Sequence, residues 1–241
     1  MMRPHRCTSL LLLGGLAWLS ACGGTPDPSG PPSAVVRGSV LFPPQAGTAT
    51  LTSGAGARQV KVLTAEVDAG GGYLLSLPAT LPDEVVSASP ESGLPVTLWQ
   101  SDTPLTCQGR PVLDHPAARL LVVDGGFYSV GGKRVGELLP QSTALADDSG
   151  TVTTLKLLVY ADRSATVQGT LKCSVGGRDV SAARVTLDYR FKRGWNMVVV
   201  RSELAATSTE LDIRGSVSLP QGPSWKFLPT LRCRPALPSG P

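Results

Sequence analysis

Residues 184–202 read RVTLDYRFKRGWNMVVVRS, and this stretch indicates the fold class. Its first half alternates apolar and polar side chains, and the apolar ones are Val185, Leu187, Tyr189 and Phe191. A period of two predicts a β-strand with one buried face. Lys192-Arg193-Gly194 supplies turn residues, so Trp195–Ser202 is predicted to return beside the first half as the partner strand of a hairpin.

The same pattern of short apolar runs between turn residues extends along the chain. Six further stretches are predicted as strands: 34–42, 57–67, 73–77, 153–161, 166–173 and 210–217. The 27 Gly and 21 Pro residues separate them and disfavour long helices. We therefore predict an all-β fold, an antiparallel β-sandwich built as one large or two small packed modules. The expected organisation is a β-sandwich module at 34–105, a connecting region at 106–149 and a second β-sheet module at 150–241.

The N-terminus has the order of an export signal. Arg3 and Arg6 precede an apolar run over residues 10–19, which is too short to be a membrane span of about 20 residues. The run ends in Leu19-Ser20-Ala21-Cys22, which resembles the lipobox of bacterial lipoprotein precursors. This resemblance implies a signal peptide at 1–21 and acylation of Cys22, which would attach the chain to a lipid bilayer. An ordinary secreted protein, with Cys22 as a bystander, is the alternative.

Residues 22–33 are rich in Gly, Pro and Ser and are predicted to form a tether between lipid and fold. Gly23 stands where an Asp would resemble the inner-membrane retention signal of some Gram-negative bacteria. We therefore expect a lipid-anchored protein of the bacterial cell envelope, at the outer membrane if there is one.

Two segments of the first module resemble carboxypeptidase-regulatory-like (transthyretin-like) β-sandwiches. They are Gly38-Ser39-Val40 and, after a Gly-rich turn, Gly72-Tyr73-Leu74-Leu75-Ser76-Leu77-Pro78. The resemblance covers residues 34–80 and implies a β-sandwich there. Arg37-Gly38-Ser39-Val40 recurs as Arg214-Gly215-Ser216-Val217, which indicates either two related sandwiches or chance in a Gly- and Val-rich chain.

Three cysteines remain after Cys7 and Cys22, namely Cys107, Cys173 and Cys233. An oxidising envelope permits one disulfide among them and leaves one thiol over. The strand pattern puts Cys173 on the inward face, whereas the choice of pair stays open. No two of these cysteines are close in sequence and His115 is the mature chain's one histidine, so we expect neither a metal site nor a cofactor.

Charge argues against nucleic acid as a partner. Without Arg3 and Arg6, 20 Lys and Arg face 18 Asp and Glu, a balance too close to neutral to attract a polyanion. Arg184, Arg190, Lys192 and Arg193 form a basic outer stripe that we interpret as a solvated face rather than a binding patch.

Catalytic residues are hard to assemble from this sequence. His115 lies in Leu113-Asp114-His115-Pro116, which we interpret as a solvated loop. The adjacent acids Asp147-Asp148 and Asp83-Glu84 would point in opposite directions on an extended chain, so turn chemistry explains them better than acid–base catalysis.

Aromatic residues offer one route to sugar binding. A stacking platform for sugar rings would form if four aromatic side chains were exposed, namely Trp195, Trp225, Tyr189 and Phe191. Core packing of these residues is the simpler interpretation. We therefore expect a non-catalytic envelope protein with a binding or structural role, whose partner is another envelope protein or a wall polysaccharide. The alternative is a wall-directed hydrolase with carboxylate catalysis.

Overall fold

The computed structural model describes residues 34–54, 59–88, 105–175 and 181–230. The predicted signal peptide and tether, Cys22 and Cys233 lie outside them. Alternation of apolar and polar side chains makes most of the described chain extended. The elements are β1 (Ala34–Leu41), β2 (Gly47–Ser53), β3 (Val60–Val67), β4 (Gly72–Leu77), α1 (Asp83–Ala88), β5 (Leu105–Gln108), β6 (Val112–Leu113), β7 (Leu120–Val123), β8 (Gly125–Val130), β9 (Lys133–Pro140), β10 (Ser142–Asp147), β11 (Gly150–Ala161), β12 (Ala165–Val175), β13 (Ala182–Phe191), β14 (Gly194–Ala205), β15 (Glu210–Ser218) and β16 (Ser224–Pro229).

The predicted all-β class is confirmed. Seven strands close into a barrel in the order β1-β16-β9-β8-β2-β3-β4. All neighbours in it are antiparallel except β1 and β16, which run parallel. This closure leaves the first sheet no open edge, so it forms a barrel rather than one layer of a sandwich.

The second sheet has the order β10-β11-β14-β15-β13-β12-β5, with β7 paired to β11 and β6 to β12. This order corrects the predicted hairpin in residues 184–202. Both halves are strands, as β13 and β14, but β15 lies between them, parallel to β13 and antiparallel to β14. The turn at Lys192-Arg193-Gly194 therefore joins two strands that are not hydrogen-bonded to each other.

Asn196 explains how this turn separates the strands. Its side-chain oxygen accepts from the backbone N–H of Lys192 at 2.9 Å. Its amide nitrogen donates to the carbonyls of Lys192 (2.7 Å) and Gly194 (2.8 Å). Gly194 has a φ of +93°, which favours glycine. One buried side chain thus satisfies the backbone groups that a hairpin would pair across the turn.

Strand β14 lies in the middle of the packing. Met197 belongs to the core that fills the barrel, whereas Val198 and Val200 belong to the core enclosed by the second sheet. Both faces of β14 are therefore buried, which explains its uninterrupted Met-Val-Val-Val run. The barrel core also takes in Leu158 and Tyr160 of β11, so the two sheets share an apolar contact.

Phe42 departs from the sequence prediction. The alternation within residues 34–42 predicts that Phe42 points inward with Val36 and Val40, but its side chain is 80% exposed. Strand β1 ends at Leu41 and Phe42 has a φ of +59°, so the alternation stops one residue before Pro43. The inward positions Val36 and Val40 are buried as predicted.

The barrel draws its strands from each of the three expected segments. Strands β1–β4 come from 34–105, β8 and β9 from 106–149, and β16 from 150–241. The described residues all belong to one compact unit. The contacts that close the barrel therefore join parts of the chain that are distant in sequence.

Candidate functional site

The structure joins Cys107 and Cys173 by a disulfide. The two residues lie opposite each other in the antiparallel pair of β5 and β12. Cys173 is buried on the same strand face as Val167 and Leu171, as the alternation predicted. The bond fixes the four-residue edge strand β5 to its neighbour.

The aromatic residues considered for sugar stacking form core contacts instead. Trp225, Tyr189 and Phe191 are buried, and the rings of Tyr189 and Phe191 stack with centroids 5.7 Å apart. Trp195 packs edge-on against Tyr160, and its indole N–H donates to the carbonyl of Pro78 at 2.9 Å. These four residues therefore offer no open platform, and the core interpretation is confirmed.

A buried hydrogen-bond network crosses the barrel at Tyr73. Its hydroxyl donates to the carbonyl of Pro223 at 2.6 Å and accepts from the indole N–H of Trp225 at 3.0 Å. Burial raises the pKa of the Tyr73 hydroxyl, and the hydrogen bond from Trp225 only partly opposes this. The hydroxyl therefore stays protonated and holds β4 to the start of β16.

The recurring Arg-Gly-Ser-Val sequence has a packing explanation. Gly38 lies against the ring of Tyr73, and Gly215 lies against the ring of Tyr189. A Cβ atom at either glycine would overlap the tyrosine side chain. The glycine of each motif thus leaves room for a tyrosine ring. Aromatic side chains often cover a strand glycine in this way.

The loop and turn acids have the roles expected of turns. His115 is exposed, and its neighbour Asp114 accepts from the backbone N–H of Thr166 at 2.6 Å, which lowers the pKa of Asp114. Asp147 accepts from the N–H and hydroxyl of Ser149 in the turn between β10 and β11, and these bonds lower its pKa. Neither Asp114 nor Asp147 has the raised pKa that suits a general acid.

Arg119 connects two carboxylates. Its guanidinium lies 2.9 Å from Asp162 and 3.1 Å from Asp83, the first residue of α1. Burial alone would raise the pKa of Asp162, but hydrogen bonds from the backbone and side chain of Arg119 and from Arg163 outweigh it, and the pKa falls. Asp83 begins α1 and does not lie in the turn predicted from sequence. Both Asp83 and Asp162 are paired with the cation of Arg119.

Asp124 is the acid that sequence reasoning missed. It follows β7, is partly buried and accepts from the backbone N–H of Gly54 at 3.1 Å. Burial raises its pKa, and hydrogen bonds to backbone N–H groups only partly reverse this. The signal in the sequence was the position of Asp124 directly after the Leu-Leu-Val-Val run of β7, where a buried strand ends.

Charged side chains also line the outward side of β13, β14 and β15, which we call the mixed-charge face. Its members are Arg184, Asp188, Arg190, Arg201, Glu203, Glu210, Asp212 and Arg214. Four ion pairs lie on it: Arg184–Glu210 (3.5 Å), which joins two strands, and Arg190–Asp188 (3.2 Å), Arg201–Glu203 (3.7 Å) and Arg214–Asp212 (2.7 Å), each within one strand. These ion pairs neutralise Arg184 and Arg190 of the basic stripe predicted from sequence.

Like charges nevertheless adjoin across the strands of this face. Arg201 lies directly opposite Arg214, and Glu203 lies directly opposite Asp212. The Oδ1 atom of Asp212 is buried without a hydrogen-bond partner in the described part of the chain. The hydrogen bond that Arg214 donates to Asp212 raises the pKa of Arg214 further, so this arginine remains a cation. The face thus places a pair of arginines beside a pair of carboxylates.

Comparisons with protein-family models, with curated proteins and with solved structures found no match to this chain. Within residues 34–54, 59–88, 105–175 and 181–230, no cluster of three His, Cys, Asp or Glu side chains is placed to hold a metal ion. In the same ranges, no helix has the length and hydropathy needed to cross a membrane. The candidate site therefore rests on the geometry of the mixed-charge face alone.

Proposed function

We propose that the protein is an exported bacterial lipoprotein, anchored through acylated Cys22, with a non-catalytic β-sheet body. The observation that carries this proposal is the ordered series of basic residues, apolar run, lipobox and tether in residues 1–33. The described fold begins at Ala34, directly after the tether. Two or more acyl chains on one residue suffice for stable membrane attachment.

The disulfide supports export. Bonds such as Cys107–Cys173 form and persist in oxidising compartments and are rare in the cytosol. A cell-envelope location, at the outer membrane where one exists, fits this chemistry. Gly23 follows Cys22, where an Asp would resemble the inner-membrane retention signal, and this supports the outer membrane.

The mixed-charge face supports a binding or structural role. Its paired charges suit hydrogen bonding to a polar surface, such as an envelope protein or a wall polysaccharide, and do not favour a polyanion. We keep the resemblance to carboxypeptidase-regulatory-like sandwiches within this proposal. Its support is that the two motif segments are neighbours, since Gly38 pairs with Tyr73 between β1 and β4.

The decisive experiment compares Cys22→Ala with Cys7→Ala in cells that receive a fatty-acid analogue. We expect Cys22→Ala to lose the label and to leave the detergent phase on extraction. Cys7→Ala, which removes the other N-terminal cysteine, is expected to keep both. Label retained by Cys22→Ala, or a mature chain that still begins at Met1, would overturn the proposal.

A further inference from the structure

Strand β10 forms an unusual edge of the second sheet. It pairs with β11 on one side, and no other described strand pairs with it. All six of its residues are exposed, and Leu145 is 76% exposed. An edge strand presents a row of backbone N–H and C=O groups that can pair with another chain.

The usual protections of such an edge are missing from β10. Its sequence, Ser-Thr-Ala-Leu-Ala-Asp, contains no Lys and no Pro, and Asp147 is its one charged residue. The opposite edge differs, because β5 has only four residues and is fixed by the Cys107–Cys173 disulfide. The exposed side chains of β10 thus combine small apolar residues with hydroxyls, which suits addition of a strand.

We propose that β10 pairs antiparallel with β10 of a second copy of this chain, joining two sheets edge to edge. A two-fold axis that pairs identical antiparallel strands stands perpendicular to the sheet, so opposing residues share a face. Thr143, Leu145 and Asp147 share the face on which Val152 of β11 lies. A pairing centred on Leu145 therefore sets Leu145 against its own copy and Asp147 against Thr143.

This register is self-complementary in charge. Asp147 meets the hydroxyl of Thr143, which can donate to the carboxylate, and no acid faces an acid. On the other face, Ala144 lies opposite Ala146, so small side chains meet. The exposed Leu145 side chains cover each other, and such apolar cross-strand contacts stabilise a sheet.

The C-terminal residues of the same chain suit this edge less well. They follow β16, whose last residue Pro229 pairs with Gly136 in the middle of β9, whereas β10 follows the end of β9. Four residues of strand separate Gly136 from Pro140, a span of about 13 Å. Residues 231–241 also contain Pro235, Pro238 and Pro241, which cannot donate to a strand ladder. A second copy is therefore the favoured occupant.

Cysteine cross-linking of the full-length protein in detergent tests this pairing. Leu145→Cys is made in a Cys233→Ser background, with Leu219→Cys as the control because Leu219 is 75% exposed but lies after β15. We expect a disulfide-linked dimer from Leu145→Cys under mild oxidation and about tenfold less from Leu219→Cys. Sedimentation should show a reversible dimer of the unmodified chain, weakened about tenfold by Leu145→Lys, which opposes two cations.

Equal cross-linking at both positions would overturn the proposal, as would a chain that stays monomeric at every concentration. A dimer that Leu145→Lys leaves intact would place the interface elsewhere and would also overturn it. Because Leu145 is exposed, its variants should keep the circular dichroism spectrum of the parent, so loss of the dimer reports the interface and not unfolding.

Discussion

The hydroxyl of Tyr73 can be removed with little change in volume by the substitution Tyr73→Phe. In the folded protein this oxygen donates to Pro223 and accepts from Trp225, and Trp225 is fully buried. Tyr73→Phe therefore leaves one carbonyl and one indole N–H without their partner inside the barrel. The aromatic ring that lies against Gly38 is retained.

The expected cost follows from these two orphaned groups. A buried donor or acceptor left unsatisfied costs about 1–3 kcal/mol, and a typical hydrogen bond contributes about 1 kcal/mol net. Because the Pro223 carbonyl and the Trp225 indole N–H both lose their partner and can relax only partly, we expect Tyr73→Phe to lower the free energy of unfolding by about 2–4 kcal/mol. This is a large part of the roughly 5–15 kcal/mol that stabilises an ordinary domain.

Urea unfolding, followed by tryptophan fluorescence and circular dichroism, measures this loss. Tyr128→Phe is the matched control, because the Tyr128 hydroxyl makes a single hydrogen bond, to the carbonyl of Gln45 at 2.7 Å. We expect the control to lose about 1 kcal/mol. A Tyr73→Phe loss below about 0.5 kcal/mol, or one equal to that of the control, would refute the network's role in joining β4 to β16.

Two further predictions concern titratable groups. Asp162→Asn should lower the free energy of unfolding by about 1–2 kcal/mol, because this 11%-exposed carboxylate accepts charged hydrogen bonds from Arg119. Asp83→Asn should change it by less than about 0.5 kcal/mol, because Asp83 is 88% exposed; equal urea midpoints for the two variants would contradict this. Burial raises the pKa of Tyr73 and Tyr189 above the value of about 10 in an unfolded chain. Their contribution is therefore complete below about pH 10 and declines at higher pH, by up to about 1.4 kcal/mol per pH unit for each tyrosine. Urea midpoints that hold steady from about pH 10 to about pH 11 would exclude this.

Alternation in the sequence predicted which residues are buried better than it predicted which strands are neighbours. The predicted inward residues of the first half of 184–202 are all buried, namely Val185, Leu187, Tyr189 and Phe191. The period of two depends on a strand having one apolar face, and it is the same whichever strand lies alongside. The insertion of β15 between β13 and β14 depends on strand pairings remote in sequence, which no local pattern encodes.

The candidate site shows the same division. The exposed basic residues Arg184 and Arg190 were visible in the sequence, because outward positions of a strand can be counted. Their acidic partners were partly hidden, since Glu210 reaches Arg184 only because β15 lies parallel to β13. Two arginines of the stripe therefore have acidic partners, one on the same strand and one on the neighbouring strand.

The two Arg-Gly-Ser-Val motifs share a local packing arrangement but differ in the direction of the neighbouring strand. Tyr73 lies directly opposite Gly38 on an antiparallel neighbour. Tyr189 approaches Gly215 from a parallel neighbour, two residues beyond the directly paired Leu187. A duplicated module would preserve the direction of the neighbouring strand, because strand order and direction are set by chain connectivity. The two motifs therefore have the same local cause, a glycine that makes room for a tyrosine ring, and their different strand environments argue against descent from one repeated sandwich.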